Sequence, residues 1–552
     1  MRRLHAATLL AASLLALSLT AAARAEAPVF DPEAVRAHVT FLADDLMEGR
    51  EGGSRGYDIA ANYVASQYLG MGLQPVNGSY YQNLMLRMAK LDGTPALTLR
   101  FGGQELRIDD SAQVLIRPSL TEQQVMLDAP LVFAGYGLDH AELGLKDYAG
   151  LDVKGKIVVV LSGYPRGMNS EQGAHLNAEK ALMAMKRGAV GIITVPTLQE
   201  TRRLAWDRRK QQAGSSAKGW VGTDGKAFVR ASGIRAGATL NPETAAKLFA
   251  AAGKPLDAIL AEADVAGKRP KGFALRASAK IEVASAWTDK PSSNVVAMLP
   301  GSDPALADEV VVMSAHLDHI GDHGTAEDKI ANGALDNASG VATMLEVAKA
   351  LVKDKANGKD GPRRPILFAA VTAEEGGLIG SDYLARNPVT GTGNPIAVVN
   401  FDMPVLLYRF TDVIAFGAEA STLGPIVAEG AAKAGIRLSP DPMPEEGLFT
   451  RSDHYRFVQQ GIPSVFLMTG FEGPGEKAFK EFLATHYHKP SDDLKLPIDW
   501  QAGAKFAEVN YHIIRGIADA TEQPRWYAGN LFGKEFAPTA PKAPRLQALP
   551  KP

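Results

Sequence analysis

Apolar positions recur at helical spacing over 32–50 and 55–73, which predicts two helices, the first opened by Asp31 as N-cap with Pro32 in its first turn. Between about Leu97 and Ala286 the texture changes to short strand-like runs such as ALTLRF, LVFAGYGL and KIVVVLSGY, with one helix, 175–186, feeding the apolar run GIITV. This predicts a separate, mainly β module. Within it, 200–235 gathers Arg202, Arg203, Arg208, Arg209 and Lys210 beside Gly and Ser, the composition of a solvated loop, with a substrate-facing basic patch as the alternative. From Ser293 onward strand and helix patterns alternate: NVVAMLP, EVVVMSAH, a helix over 337–352, PILFAAVTAE, IAVVNFDM, DVIAFG, a helix over 421–435, and IPSVFLM. Strands that are apolar almost throughout, separated by helices, predict an α/β fold in which a mixed sheet is flanked by helices on both faces.

The first 25 residues read differently. Arg2 and Arg3 precede an apolar run, Ala6 to Ala22, that closes on Ala23-Arg24-Ala25, the pattern of a secretory signal cleaved before Glu26. The run falls short of the roughly 20 apolar residues a membrane span needs, so no stable span is expected after cleavage and the location expected is periplasmic or secreted. The resulting division is 1–25 signal, 26–95 first part of the catalytic domain, 96–288 insert, 289–522 second part of the catalytic domain, and 523–552 a proline-rich tail expected to hang loose.

Composition narrows the chemistry. With 46% hydrophobic and 22% charged residues, the 552-residue chain is expected to fold around sizeable cores in more than one domain. Its 59 Lys and Arg against 61 Asp and Glu leave nothing to attract nucleic acid. The absence of cysteine removes disulfides, thiolate ligands and thiol nucleophiles, leaving His, Asp and Glu as the strong metal ligands.

Those residue types gather at the ends of the predicted strands, where ligands bind in α/β sheets. EVVVMSA ends in His316-Leu317-Asp318, PILFAAVTA in Glu374-Glu375, and IAVVNF in Asp402; Asp336 opens a helix and His488 lies in the loop THYHKPSDD. This supply exceeds what one catalytic zinc takes and suits two. The charges of two divalent cations are balanced by Asp336, Glu375, Asp402 and one hydroxide, whereas the three carboxylates alone would repel one another. Asp318 and Asp492 are spaced to receive the second N–H of His316 and His488, and His319, His323, His454 and His486 are read as non-ligands. Adjacent strand residues face opposite ways, so Glu374 and Glu375 serve one site only if the chain turns, which Gly376 and Gly377 permit. One glutamate can then ligate while its neighbour handles a proton.

The segments SAHLDHIG, NGALDNASG, TAEEGGLIGSDYL, NFDM, RSDHYRFVQQGIPSVFL and YHKPSDDL together resemble the two-zinc aminopeptidases, a family that also includes the glutamate carboxypeptidases and the non-catalytic transferrin receptor. The resemblance covers 31–90 and 290–520. It implies the zinc aminopeptidase fold and a zinc-dependent exopeptidase acting on peptide substrates. It implies two zinc ions held by His316, Asp336, Glu375, Asp402 and His488, with Asp336 bridging, Glu374 as general base and Tyr487 on the developing oxyanion. The same resemblance assigns Arg451 to a substrate carbonyl or carboxylate, and a cis peptide is expected at Asp336–Asn337. The middle segments VFAGYGL, DYAGLDVKGKIVVVL and KALMAMKRGAVGIITV resemble the protease-associated domain often inserted in this family. Two positions depart from the pattern: Leu335 stands where many members have an aspartate, and NFDMPVLLY continues unusually after Asp402. Aminopeptidase action is the reading favoured. A glutamate-type carboxypeptidase, a one-zinc glutaminyl cyclase and a receptor-like binding protein are the alternatives. Oligomeric state is left open.

Overall fold

The computed structural model describes residues 28–214, 216–322, 328–356, 361–391 and 393–545. The expected signal segment and His323 lie outside the described residues. Among the described residues no helix is long and apolar enough to cross a membrane.

The first predicted helix is shorter than its apolar pattern. It runs Pro32–Leu42, with Asp31 Oδ1 accepting from the Glu33 amide at 3.0 Å, and buries Val35, Val39 and Leu42. Asp44 then caps the Leu46 amide and starts the tight turns Asp45–Arg50, in which Glu48, Gly49 and Arg50 all take positive φ. Position 49 has to be glycine because a Cβ there would sit 2.7 Å from the Ala331 carbonyl. The consequence is that Arg50 turns inward. The second helix, Arg55–Met71, is capped by Ser54 and stopped by Gly72 in the left-handed conformation.

The strands Asn394–Phe401, Glu309–His316 and Ile366–Val371 lie side by side and parallel, with Ser464–Thr469 parallel to the first of them. Their sheet is mixed: Asp412–Phe416 runs antiparallel to Ser464–Thr469, and the 27-residue strand Phe273–Leu299 runs antiparallel to Ile366–Val371. That long strand also pairs with Tyr81–Leu91, Ala96–Phe101 and Gln124–Phe133, so one continuous sheet spans the chain. The three central strands have few or no polar side chains because both faces are covered, with helices Ser339–Ala356 and Trp500–Asp519 contributing to one of them.

Two large clusters make up most of the apolar interior among the described residues, with two smaller ones beside them. One cluster joins Val35, Tyr57, Val64 and Tyr68 of the first two helices to residues from Val295 onward. The other is drawn from Leu97 to Val283.

Two expectations are corrected. The basic stretch 200–235 is not a free loop: it forms helices Leu198–Arg203 and Trp206–Gly214 and the strand Ala217–Val221, which pairs with Tyr81–Leu91. Its polar groups have partners, Trp220 Nε1 donating to Asp382 at 2.8 Å and Lys218 Nζ to Glu51 at 2.8 Å. The stretch expected to hang loose is packed as far as it is described. Trp526, Tyr527, Leu531 and Phe532 are buried, and Trp526 Nε1 donates to the Gly461 carbonyl, because this segment's aromatic side chains outweigh its prolines.

Candidate active site

Because the three central strands are parallel neighbours, their carboxyl ends release His316, Glu374-Glu375 and Asp402 along a single edge. The glutamate strand ends at Val371, and the chain turns through Ala373 at φ 53°, Gly377 at φ 116° and Leu378 at φ 61°. The Gly377 and Leu378 amides both donate to the Glu374 carbonyl. This turn brings both glutamates to one side, as their adjacency demanded. Asp336 arrives from the loop before helix Ser339–Ala356, with a cis peptide at Asp336–Asn337. His488 comes from the turn after helix Gly475–Thr485.

The carboxylates and imidazoles form two groups that share Asp336. His316 Nε2 lies 3.2 Å from Asp336 Oδ1 and 3.1 Å from Asp402 Oδ1. His488 Nε2 lies 3.4 Å from Asp336 Oδ2 and 3.1 Å from Glu375 Oε2. His319, read from the sequence as a non-ligand, is placed in the second group, its Nδ1 2.8 Å from Glu375 Oε1. His486 and His454 lie apart from both groups. His486 Nδ1 meets Ser491 Oγ at 3.0 Å, while His454 is buried against Phe449 and Phe466 and burial pushes it down to about 3.

The two aspartates expected to orient imidazoles hold backbone instead. His316 Nδ1 donates to the Asp318 carbonyl at 3.0 Å, leaving Nε2 free to face the carboxylates. The Asp318 carboxylate accepts from the Glu374 amide at 3.0 Å and the Glu375 amide at 3.4 Å. Asp492 accepts from the Leu335 amide at 2.9 Å and the Asp336 amide at 3.0 Å. Burial pushes both acids up to about 6.

Several contributors carried no signal in spacing or composition. Ser452 Oγ donates to Asp402 Oδ2 at 2.6 Å and accepts from Asn400 Nδ2 at 2.7 Å. Asn337 Nδ2 donates to the Phe401 carbonyl at 2.8 Å while its Oδ1 accepts from the Met403 amide at 3.0 Å, tying the Asp336 loop to the Asp402 strand. Arg50, 1% exposed, donates to the carbonyls of Leu42, Leu317, Asn332 and Gly333.

Electrostatically the two glutamates differ. Burial, together with the charges of Asp402, Glu375 and Asp453, pushes Glu374 well above the usual carboxylate range. Glu375 is held at about 2 in spite of burial and the Asp336 charge, because His319 and His488 face it. Asp336 lies well below its ordinary value: burial opposes this, but His316 and His488 outweigh it. Burial pushes the Tyr487 phenol far up, so it stays neutral, and its ring stacks on His488 at 3.8 Å.

These groups open into a cleft of about 600 Å³ counting its mouth. Asp336, Glu374, Asp402, Arg451, Tyr487 and His488 supply polar lining, and Met443, Leu448, Met468, Phe479 and Leu483 apolar lining.

Residues 294–514 match the model of peptidase family M28. A probable zinc metalloprotease of Pyrenophora tritici-repentis is 28% identical over 271 residues, 42% of this chain and 53% of its own. Aminopeptidase Y of Saccharomyces cerevisiae is 28% identical over 241 residues, 42% of this chain and 40% of its own. The chain thus spans about half the length of the curated relatives it matches. Among solved structures, an aminopeptidase from Aneurinibacillus sp. strain AM-1 aligns over 88% of this chain and 93% of that one, at 20% identity and a TM-score of 0.49. Over residues 294–514 the chain is thus similar to peptidase family M28.

Proposed function

We propose that the protein is an exported, periplasmic or secreted zinc aminopeptidase that holds two zinc ions and hydrolyses N-terminal residues from peptides. His316, Asp336 and Asp402 would hold one ion, and Asp336, Glu375 and His488 the other. The observation that carries the reading is the split use of Asp336, whose Oδ1 faces His316 at 3.2 Å and whose Oδ2 faces His488 at 3.4 Å. The donors fit zinc, being imidazole and carboxylate in sets of three, and the buried Glu375 Oε1 has no hydrogen-bond partner. Bound zinc would supply a Lewis acid and lower the pKa of a water.

The chain's own residues divide the remaining work. Glu374 belongs to neither ligand set and its raised pKa makes its carboxylate a competent base: it accepts a proton from the attacking water and returns it to the nitrogen of the leaving amine. The neutral Tyr487 hydroxyl donates to the oxygen that becomes negative as the carbonyl is attacked. Glu446, the acid of the cleft not assigned to metal or proton transfer, suits the free α-amine of a substrate, and the apolar lining suits an apolar first side chain. A carboxypeptidase needs cations for the terminal carboxylate. Among the described residues Arg451 is the one Arg or Lys that lines the cleft, and Arg456, outside it, donates Nη2 to the Gly377 carbonyl. The module over 96–288 is read as a protease-associated insert, supported by its separate apolar cluster.

Glu374→Gln tests the assignment. It should keep both zinc ions and substrate affinity while kcat on aminoacyl anilides falls by about 10² to 10⁴. Full activity would overturn the mechanism, and loss of a metal would show that the glutamates' roles are shared or exchanged. Free and N-blocked peptides, compared with C-blocked ones, separate amino- from carboxypeptidase action.

A further inference from the structure

His319 is 0% exposed, and neither ring nitrogen has a hydrogen-bond partner. An uncompensated buried imidazole costs free energy, so its polar edge calls for an occupant. Three buried histidines away from the site set the contrast. His175 meets Tyr455 and Glu535, and His38 meets Tyr63 and Glu346, while the unpaired His454 packs between aromatic rings. His319 instead points at carboxylates: its Nδ1 is 2.8 Å from Glu375 Oε1 and 3.9 Å from Asp336 Oδ2. At 2.8 Å the two atoms are close enough for a hydrogen bond, yet the ring is not aligned to make one, and Glu375 Oε1 is also unpartnered. Two close but misaligned donors of electron pairs are what a shared cation requires.

The fold makes room for this ring. Gly333 takes φ 62°, and a Cβ there would lie 2.7 Å from His319 Cγ, so the loop leading to Asp336 passes directly over the imidazole. The His488 ring stands edge-on to it, with the ring centroids 5.8 Å apart.

We propose that His319 is an additional side-chain ligand of the metal held by Asp336, Glu375 and His488. This rests on the two-metal reading above. The second position then has two imidazoles and two carboxylates, and the first has His316, Asp402 and the shared Asp336. Four protein ligands close a zinc site, while three leave a place open. The positions are therefore unequal: the second holds its metal more tightly, and the first offers the freer coordination place for substrate. Added nitrogen also biases the second position toward Zn²⁺ and Co²⁺ over Mn²⁺.

The test uses the full chain, stripped and reloaded with ¹¹³Cd²⁺, with ¹⁵N-labelled histidine. Scalar coupling to cadmium is expected at His316, His319 and His488. Coupling at His316 and His488 with none at His319 overturns the proposal while leaving the two-metal reading intact. If only one cadmium binds, the two-metal reading fails, and coupling or its absence at His319 still decides this inference; if none binds, both fail. As a second measurement, His319→Ala should weaken the tighter of the two Co²⁺ sites by 100-fold or more in chelator competition and alter the visible cobalt spectrum. His319→Ala with both affinities within threefold of wild type and an unchanged spectrum would also overturn it.

Discussion

Asp492→Ala isolates how Asp336, the proposed bridging ligand, is held. The Asp492 carboxylate accepts from the Leu335 and Asp336 amides at 2.9 and 3.0 Å, and all three residues are buried. Removing it strands two buried N–H groups, each costing about 1–3 kcal/mol, so the fold should lose about 2–6 kcal/mol. Against a typical stability of roughly 5–15 kcal/mol that is a large fraction. Asp492→Asn keeps one acceptor oxygen and should lose about half as much. The carboxylate holds the loop that carries Asp336, so metal affinity should drop roughly 10- to 100-fold, the range for partners that orient ligands. Denaturant unfolding of stripped protein measures the first quantity, and chelator competition on reloaded protein the second. Asp492→Ala that stays within 1 kcal/mol of wild type and within threefold in metal affinity would refute the reasoning, because the two amides would then have found other partners at no cost.

Three further outcomes follow from the geometry. Glu375→Ala should lose one metal and activity together, checked by elemental analysis beside turnover, in contrast to Glu374→Gln. Ser452→Ala, which removes the donor 2.6 Å from Asp402 Oδ2, should weaken metal binding about tenfold with little change in thermal stability. His454 is buried neutral with its pKa pushed down to about 3, so the unfolded chain takes up its proton first as pH falls. The stabilising contribution is complete above about pH 6.5 and declines toward pH 3 by up to ~1.4 kcal/mol per unit, a slope that His454→Phe should reduce in denaturation measured across that range.

The central sheet was legible because its strands are fully covered: runs such as EVVVMSAH and PILFAAVTAE have only one common use, and a ligating residue type at the end of each marks the edge. The Asp45–Arg50 turns were not, since the apolar spacing continues past Leu42 and the break comes from Asp44 capping Leu46 and from Gly49 under the Ala331 carbonyl. The stretch 200–235 was misread because its Arg and Lys content says nothing of partners such as Glu51, and strand Ala217–Val221 forms by pairing with residues more than a hundred positions away. His319 was set aside on the general habit of extra imidazoles. Its nearness to Glu375 depends on how the strand ending at His316 turns relative to its neighbour, which no local pattern reports.

Asp318 and Asp492 expose a more general reason for the limits of spacing. An aspartate two or four residues from a histidine was read as that histidine's partner, but a carboxylate can equally satisfy main-chain amides, and strand-end loops are rich in amides without a ladder to join. Asp318 takes the amides of Glu374 and Glu375, and Asp492 those of Leu335 and Asp336. Arg50 does the converse, spending its donors on four carbonyls of three segments. Burial lowers Arg50 only to about 10, with Asp492, Asp318, Asp336 and Glu375 opposing the fall, so it remains a cation beside a crowd of carboxylates. Two of the proposed ligands, Asp336 and Glu375, are thus held through their own amides. A side-chain partner fixes one ring or one carboxylate, whereas a clamped loop fixes every residue it carries, and Asp336, whose two carboxylate oxygens face His316 and His488, sits on a loop held by Arg50, Asn337 and Asp492.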